Sequence, residues 1–598
     1  MNVDEFFKQP APKYDPTKLP PNQANTTTTL GKRKHDSSVD VAGPLRNGHS
    51  IKGKERALDE EDNHVKGAPD EYVDEDEDGR FFGGGLSGQQ REIIDILDRD
   101  QAAGGQALDM AGVRRICLTL ERAINRNREM RTKFGDRPEK FVDSEFELTE
   151  AIQGLALLTQ DPGKFYPELV RLGVVVSLLG LLAHENVDIA IAVIEILEEL
   201  TDEDILDAHD DDEGGQDGSA PEAVIELVNR LIEHQLLELL VSTMADRLDE
   251  KEEAERNGVF HSLGLIENLV SLDPRLSTRL VDKTPVMKFL LRRIRPQKEQ
   301  TKETQQLFFQ NQQYASEIAA ILVQESPPNR KKLVETGGLD VLLEVLSIYR
   351  KRDPRDADEI EFMENVFDTL CSVLLEPEHK AKFLEGEGVE LMVIMMKEKK
   401  LARNRSIKVL DHALVGDEGA PNCERFVEHF GLKTLFSAFM GKNSSKQAST
   451  HEDHEHILGI IVSLFFNLES DSAPRLRLLA KFMEDGYEKV DRLLEIRETV
   501  EARLSAQQPE VQGMELDETE VYLSRLDAGL FSLQLVDTII GWVCMEDDGA
   551  REHAAMLLKR AGKGFAEVVG VLEEYRESMG EGLRKEGVGE LAKYLASV

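Results

Sequence analysis

The chain has 598 residues, 40% of them hydrophobic and 31% charged, with a formal net charge of -41 at pH 7. That length exceeds one compact core and implies several domains or a repeat array. The acidity excludes a phosphate-gripping surface as the dominant feature, so basic partners are expected and direct nucleic-acid binding is not. No run of about 18 uncharged apolar residues predicts a membrane span.

Residues 1–85 are rich in Pro, Asn, Thr, Lys and Asp, with few clustered apolar residues, and are expected to be a disordered tail. The start lacks the apolar core of a secretory signal. Two basic clusters, Lys32, Arg33, Lys34 and Lys52, Lys54, Arg56, resemble a bipartite nuclear signal read by an import receptor. An acidic linker follows. In it Asp74, Asp76, Asp78 and Gly79 imitate a calcium loop, but the twelfth position is Gly85 rather than a bidentate carboxylate, so no calcium site is assigned.

From about residue 88 apolar residues recur at three- and four-residue spacings, with no sustained strand alternation. Residues 86–165 are expected to form an N-terminal helical cap, with Asp143 or Ser144 capping the helix that continues through "FELTEAIQGL". Residues 166–470 read as armadillo-type repeats. Each has a short helix, a turn marker, an apolar helix and a long last helix. The markers Gly173, Gln235, Pro285, Gly338, Gly388 and Gly431 are spaced by 62, 50, 53, 50 and 43 residues, against about 40–47 for armadillo and HEAT repeats. Residues 471–598 are expected to be further helices and a C-terminal cap, with self-association as a homodimer left open. The predicted fold is therefore all-α: an armadillo/HEAT-type right-handed superhelical solenoid with capping helices at both ends.

Such repeats present the last helix of each unit on a concave surface. In the first unit Ala190, Val193, Ile194, Leu197 and Leu200 form the expected buried stripe, leaving Glu195, Glu199 and Asp202 on another face. The fourth unit repeats this with Met363, Val366, Phe367, Leu370 and Leu374 against Glu364, Asn365 and Asp368. Glu267 and Asn268, then Asn404, Lys408 and Asp411, then Asn467 take the corresponding places in other units. Between Arg171 and Arg230 there are 58 residues with sixteen acids and no Lys or Arg. A single-sign field of that size points to a groove for a basic segment, in which carboxylates take Lys and Arg while Asn amides fix the peptide backbone. The competing reading is a solvated, solubilising face. The loop 207–221 is expected to be flexible and acidic.

Enzyme signatures are missing: there is no phosphate-binding loop, nucleophile elbow or zinc-protease motif. No catalytic residue, cofactor or metal is assigned. The cluster His451, His454, His456 reads as a solvated helix start, and Cys117, Cys371, Cys423 and Cys544 as reduced core thiols.

The stretches "KFGDRPEKFVDSEFELTEAIQ", "LLGLLAHENVDIAIAVIEILEELTD", "FLEGEGVELMVIMMKEKK", "IKVLDHALVGDEGAPNCERFVE" and "YLSRLDAGLFSLQLVD" together resemble the nuclear beta-catenin-like protein family, over about residues 90–598. The resemblance implies a non-enzymatic nuclear scaffold associated with the spliceosome. It implies a place beside the Prp-nineteen/Cdc-five complex, binding basic, nuclear-localisation-like segments of splicing factors such as the Cdc-five-like factor. The alternative is an import adaptor of the importin-alpha kind. Against it stands the missing ladder of Trp and Asn pairs, since Trp542 is the only tryptophan.

Overall fold

Seven prolines, Pro162, Pro221, Pro274, Pro327, Pro377, Pro421 and Pro474, follow one another at steps of 59, 53, 53, 50, 44 and 53 residues. Each opens a short helix, either within its first turn or, at Pro274, as the residue before it. Proline suits that place because the missing N–H would have no intrahelical acceptor and its φ is already helical. These prolines set the period of the molecule. The computed structural model describes residues 108–203, 205, 219–296, 302–398, 400–441, 451–512 and 518–598. The tail with its basic clusters and the acidic segment 74–85 lie outside the described residues, as does most of the loop expected at 207–221.

Helices α1 (Met110–Phe134) and α2 (Val142–Gln153) precede the first proline. Six units of three helices follow. They are α3–α5 (Pro162–Arg171, Val174–Leu181, Val187–Leu200), α6–α8 (Ala220–Glu233, Leu236–Ser242, Glu253–Leu272) and α9–α11 (Arg275–Lys283, Val286–Ile294, Lys302–Gln324). Next come α12–α14 (Pro327–Glu335, Gly338–Leu346, Ala357–Val373), α15–α17 (Pro377–Glu385, Gly388–Lys397, Ala402–Leu414) and α18–α20 (Ala420–Glu428, Gly431–Phe439, His451–Asn467). The chain closes with α21 (Ala473–Met483), α22 (Glu488–Gln512), α23 (Glu518–Asp527), α24 (Leu530–Glu546), α25 (Asp548–Arg560), α26 (Phe565–Ser578) and α27 (Leu583–Ser597). No strand occurs among the described residues. The fold is the all-α solenoid of armadillo/HEAT type that the periodicity predicts.

The third helices α5, α8, α11, α14, α17, α20 and α24 pack each against the next and form a continuous row. Both expected stripes are core: Ala190, Val193, Ile194, Leu197, Leu200, Val366, Phe367, Leu370 and Leu374 are fully buried, and Met363 is 1% exposed. A helix of one unit cannot hide such a face alone, so neighbouring units bury it jointly. All four cysteines are buried and unpaired.

Two local expectations are corrected. In three units the left-handed turn residue lies one position before the glycine marker, at Gly337, Glu387 and Phe430, whereas at Gly173 and Gln235 the marker itself is left-handed. The following glycines serve close approach instead. A Cβ at Gly338, Gly388 or Gly431 would lie 2.4, 2.3 or 2.5 Å from Leu333, Phe383 or Phe426 of the preceding helix. Neither Asp143 nor Ser144 caps α2. Its N-cap is Phe141, and the Ser144 hydroxyl donates back to the Phe141 carbonyl at 2.6 Å and accepts from Asn127 at 3.1 Å.

Candidate functional site

The C-terminal carbonyls of each third helix need partners, since the last turn of an α-helix has no intrahelical donors for them. The residue one or two places after the repeat proline supplies several. Asn329 donates to Leu322 O at 2.7 Å and Asn422 to Ala413 O at 3.1 Å. His379 Nδ1 lies 2.9 Å from Val373 O, and Arg475 donates to Phe465 O. The next third helix supplies more. Asn268 donates to Glu198 O at 3.0 Å, and Asn467 to Leu414 O and Gly416 O at 2.7 and 2.8 Å. Asn268 and Asn467, expected to hold a ligand backbone, thus clamp one third helix to the next. Asn365 is 4% exposed, and Glu267, 7% exposed, accepts from the Tyr314 hydroxyl at 2.6 Å. Burial, then the Glu267 charge, push that phenol far above its ordinary pKa.

Three of the expected acids lie on α5 or just past its end. The Glu195 side chain is 41% exposed, Glu199 is exposed and Asp202 half-buried. Burial, then the charges of Asp202 and Glu198, push the Glu199 carboxyl up, as crowding of like charges requires. Glu198, which the periodic reading passes over, turns toward α8. Its Oε2 lies 2.6 Å from His261 Nδ1, while Glu195 Oε1 lies 3.7 Å from His261 Nε2. Burial disfavours the imidazolium, but the Glu198 hydrogen bond and the two carboxylate charges raise the His261 pKa above its ordinary value. Gly264 leaves room for this contact, because a Cβ there would meet Glu198 Oε1 at 2.0 Å.

The same device recurs on α20. His456 Nδ1 lies 2.9 Å from Asp411 Oδ2, and a Cβ at Gly459 would meet Asp411 Oδ1 at 2.4 Å. The signal in the sequence is His-x-Leu-Gly, "HSLG" at 261–264 and "HILG" at 456–459. Among the described residues no group of three or more His, Cys, Asp or Glu is placed to hold a metal.

Glu364 and Asp368 on α14 are 39% and 45% exposed and face two cations of α17. Arg405 reaches Glu364 Oε1 at 2.9 Å and Asp368 Oδ1 at 3.5 Å, and Lys408 Nζ lies 3.8 Å from Asp368. The structure therefore places Glu195 and Glu199 one turn apart on α5, with Asp202 just past its C-cap. It places Glu267, Asn268 and Asn365 in the packing, sets Glu364, Asp368 and Asp411 against basic side chains, and uses Asn467 as a clamp.

A sequence model of the family described as "Catenin-beta-like, Arm-motif containing nuclear" matches residues 91–573. Beta-catenin-like protein 1 of Homo sapiens is 38% identical over 491 residues, covering 79% of this chain and 83% of its own; that of Rattus norvegicus gives the same figures. The Schizosaccharomyces pombe homolog is 37% identical over 516 residues, 85% of this chain and 86% of its own. Among solved structures, an engineered protein covers 75% of this chain at 14% identity and a TM-score of 0.42.

Proposed function

This chain belongs to the catenin-beta-like family of armadillo-motif nuclear proteins, and on that premise we propose that it is a non-enzymatic scaffold of the spliceosome that holds Lys/Arg-rich segments of splicing proteins. The observation that carries the reading is the acid cluster of Glu195 and Glu199 on α5 with Asp202 just past its end, each half-buried or exposed, inside a 58-residue stretch without Lys or Arg. Each ion pair at such a wet surface contributes about 0.2–1 kcal/mol. Several are needed, and the sum falls with salt because the Debye length is only about 8 Å at physiological ionic strength. The ligand is thus a run of basic residues rather than one side chain. The clusters Lys32, Arg33, Lys34 and Lys52, Lys54, Arg56 serve as the chain's own nuclear signal. Their replacement by Ala is expected to shift a fluorescent fusion toward the cytoplasm, and unchanged nuclear accumulation would refute that role.

Affinity capture from nuclear extract tests the scaffold, comparing the natural chain with Glu195→Lys/Glu199→Lys. Splicing proteins that carry basic segments should be recovered with the natural chain and depleted with the variant. Recovery of import receptors in their place would support an import adaptor, and equal recovery with both proteins would count against the acid face.

A further inference from the structure

The loops that join second helix to third lie side by side along one edge of the units. Arg293, at the end of α10, pairs with Glu250 in the corresponding loop of the unit before. Arg295 reaches Glu344 on α13 at 3.0 Å, and Lys400, just past α16, reaches Asp353 at 3.4 Å. Leu401 N also donates to Asp353, at 2.9 Å. The 3₁₀ turn Ser347–Arg350 that follows α13 packs against α16. In the third, fourth and fifth units this edge reverses the sign of the chain. The stretch "VMKFLLRRIR" at 286–295 has four cations and no acid, "SIYRKRDPR" at 347–355 has four and one, and "KEKK" at 397–400 has three and one, in a chain of 73 Lys and Arg against 114 Asp and Glu. The first two units lack the feature: "AHENVD" at 183–188 has no Lys or Arg, and "DRLDEKEEAER" at 246–256 has three cations against six acids.

Most of these cations face solvent. Lys288, Arg292, Arg350, Lys351 and Lys397 are exposed, and none has a carboxylate partner among the described residues. Of the acids nearby, Glu344 and Asp353 hold the contacts above, and Asp356 caps α14 by accepting from Glu359 N at 2.9 Å. Asp358 and Glu398 are exposed and leave the cations in excess. Aliphatic side chains stand among them: Ile348, Ile394 and Leu401 are 38%, 42% and 41% exposed. The aromatic residues of the three stretches, Phe289 and Tyr349, are buried.

We propose that this edge is a second docking surface, which takes an acidic protein segment carrying interspersed apolar side chains. It lies apart from the acid cluster of α5 and does not depend on it. Carboxylates of the ligand pair with the exposed Lys and Arg, and its apolar residues cover Ile348, Ile394 and Leu401, removing aliphatic surface from water on both sides. A nucleic-acid strand meets only half of this surface. Its phosphates suit the cations, but its bases find no exposed ring in the three stretches on which to stack. The net charge of -41 repels an acidic ligand at long range. At physiological ionic strength the Debye length is about 8 Å, so a docked segment feels chiefly the cations beside it. Neighbouring packed helices lie about 8–10 Å apart, so the three loops span about 20 Å, close to the length of a helical ligand of about twelve residues.

Fluorescence titration at physiological salt tests the proposal with three probes of about twelve units: a peptide of mixed Glu and Leu, polyglutamate, and oligouridine. The proteins are the full natural chain, Arg350→Glu/Lys351→Glu and Ile348→Ser/Ile394→Ser, with helicity checked by circular dichroism. The Glu/Leu peptide should bind the natural chain more tightly than polyglutamate or oligouridine does. Charge reversal should weaken it about tenfold or more, the size of two exposed ion pairs lost and two repulsions gained, and the Ile pair should weaken it about threefold or more. Failure of the natural chain to bind the Glu/Leu peptide, or equal affinity of the natural and reversed proteins for it, would overturn the proposal. Oligouridine binding as tightly as the peptide and lost on reversal would overturn it in favour of a nucleic-acid surface, and polyglutamate binding as tightly would overturn the apolar half of the recognition. A photo-crosslinker on the Glu/Leu peptide keeps the test independent of the variants' folding: on the natural chain it should mark residues 347–356 or α16, and marking of α5 instead would contradict the docking surface. A Lys/Arg-rich peptide titrated into the same proteins reports on the α5 reading separately, since its binding should not be weakened by the reversal at Arg350 and Lys351.

Discussion

At the residue scale, side chains that look alike in the sequence divide by what their neighbours do. Glu195 and Glu199 recur on one helix face, with Asp202 two residues past its end, and that spacing alone places them near one another. Asn268 and Asn467 have the same appearance of surface polar residues on third helices, yet each donates to the carbonyl end of the preceding third helix. Nothing in one helix's own periodicity announces such a role, because the acceptor lies some fifty to seventy residues earlier in the chain. Glu198 shows the converse. It was hidden among its neighbours until the repeated His-x-Leu-Gly pattern is read as a seat for the acid of the preceding unit.

His412, beside His456 with ring centroids 6.3 Å apart, carries a pH dependence. Burial pushes its pKa down to about 4, with Asp411 opposing and His456, Lys408 and Lys380 assisting. The unfolded chain takes up the proton near pH 6.5 and the folded chain does not. Stability from this residue is therefore complete above about pH 6.5 and declines as the pH falls toward 4. Between pH 7 and 5 the loss is about 2 kcal/mol. Urea midpoints at the two pH values should differ less for His412→Gln than for the natural chain, and equal differences would show that His412 titrates normally.

At the element scale, the unit count and the buried stripes were legible because apolar spacing directly encodes which face a helix hides. The turn register was not, because two different demands sit on adjacent residues. One residue must take positive φ, which Gln235, Glu387 and Phe430 do at 67°, 57° and 62°. In three units the next, Gly338, Gly388 or Gly431, must lack a Cβ to let the first two helices of the unit approach. A lone glycine in the sequence satisfies either demand and cannot say which. The consequence is an ordering of two substitutions. Gly388→Ala forces a methyl against the fully buried Phe383 ring and should cost about 1–3 kcal/mol. Gly173→Ala has open space around it and only the left-handed strain, about 1–2 kcal/mol at most. Chemical denaturation of both should rank Gly388→Ala as the more damaging; the reverse order would contradict the close-approach role. The proline period was in plain sight. It marks the first helix of each unit more regularly than the glycine markers do, since proline's missing N–H is harmless only at a helix start.

At the scale of the whole molecule, the net charge of -41 is not evenly spread. It is dense between Arg171 and Arg230, where 58 residues hold sixteen acids and no Lys or Arg, and at Glu364 and Asp368 it is met by the cations of α17. The repeat architecture was readable from periodicity, and the acidic stretch from composition. How the acids are distributed between open surface, packing and internal ion pairs was not, because that depends on which third helices become neighbours. The central claim is that the acids at the surface of α5 bind basic segments. It is tested most directly by titrating a fluorescent Lys/Arg-rich peptide of about nine residues into the natural chain and into Glu195→Lys/Glu199→Lys, at low and at physiological salt. Binding that is tight at low salt, weaker at physiological salt and reduced about tenfold or more by the two reversals is the predicted result, given about 0.2–1 kcal/mol for each lost attraction and similar costs for each new repulsion. Equal affinity of the two proteins at both salt concentrations, with helicity unchanged, would show that the acids only keep the chain in solution.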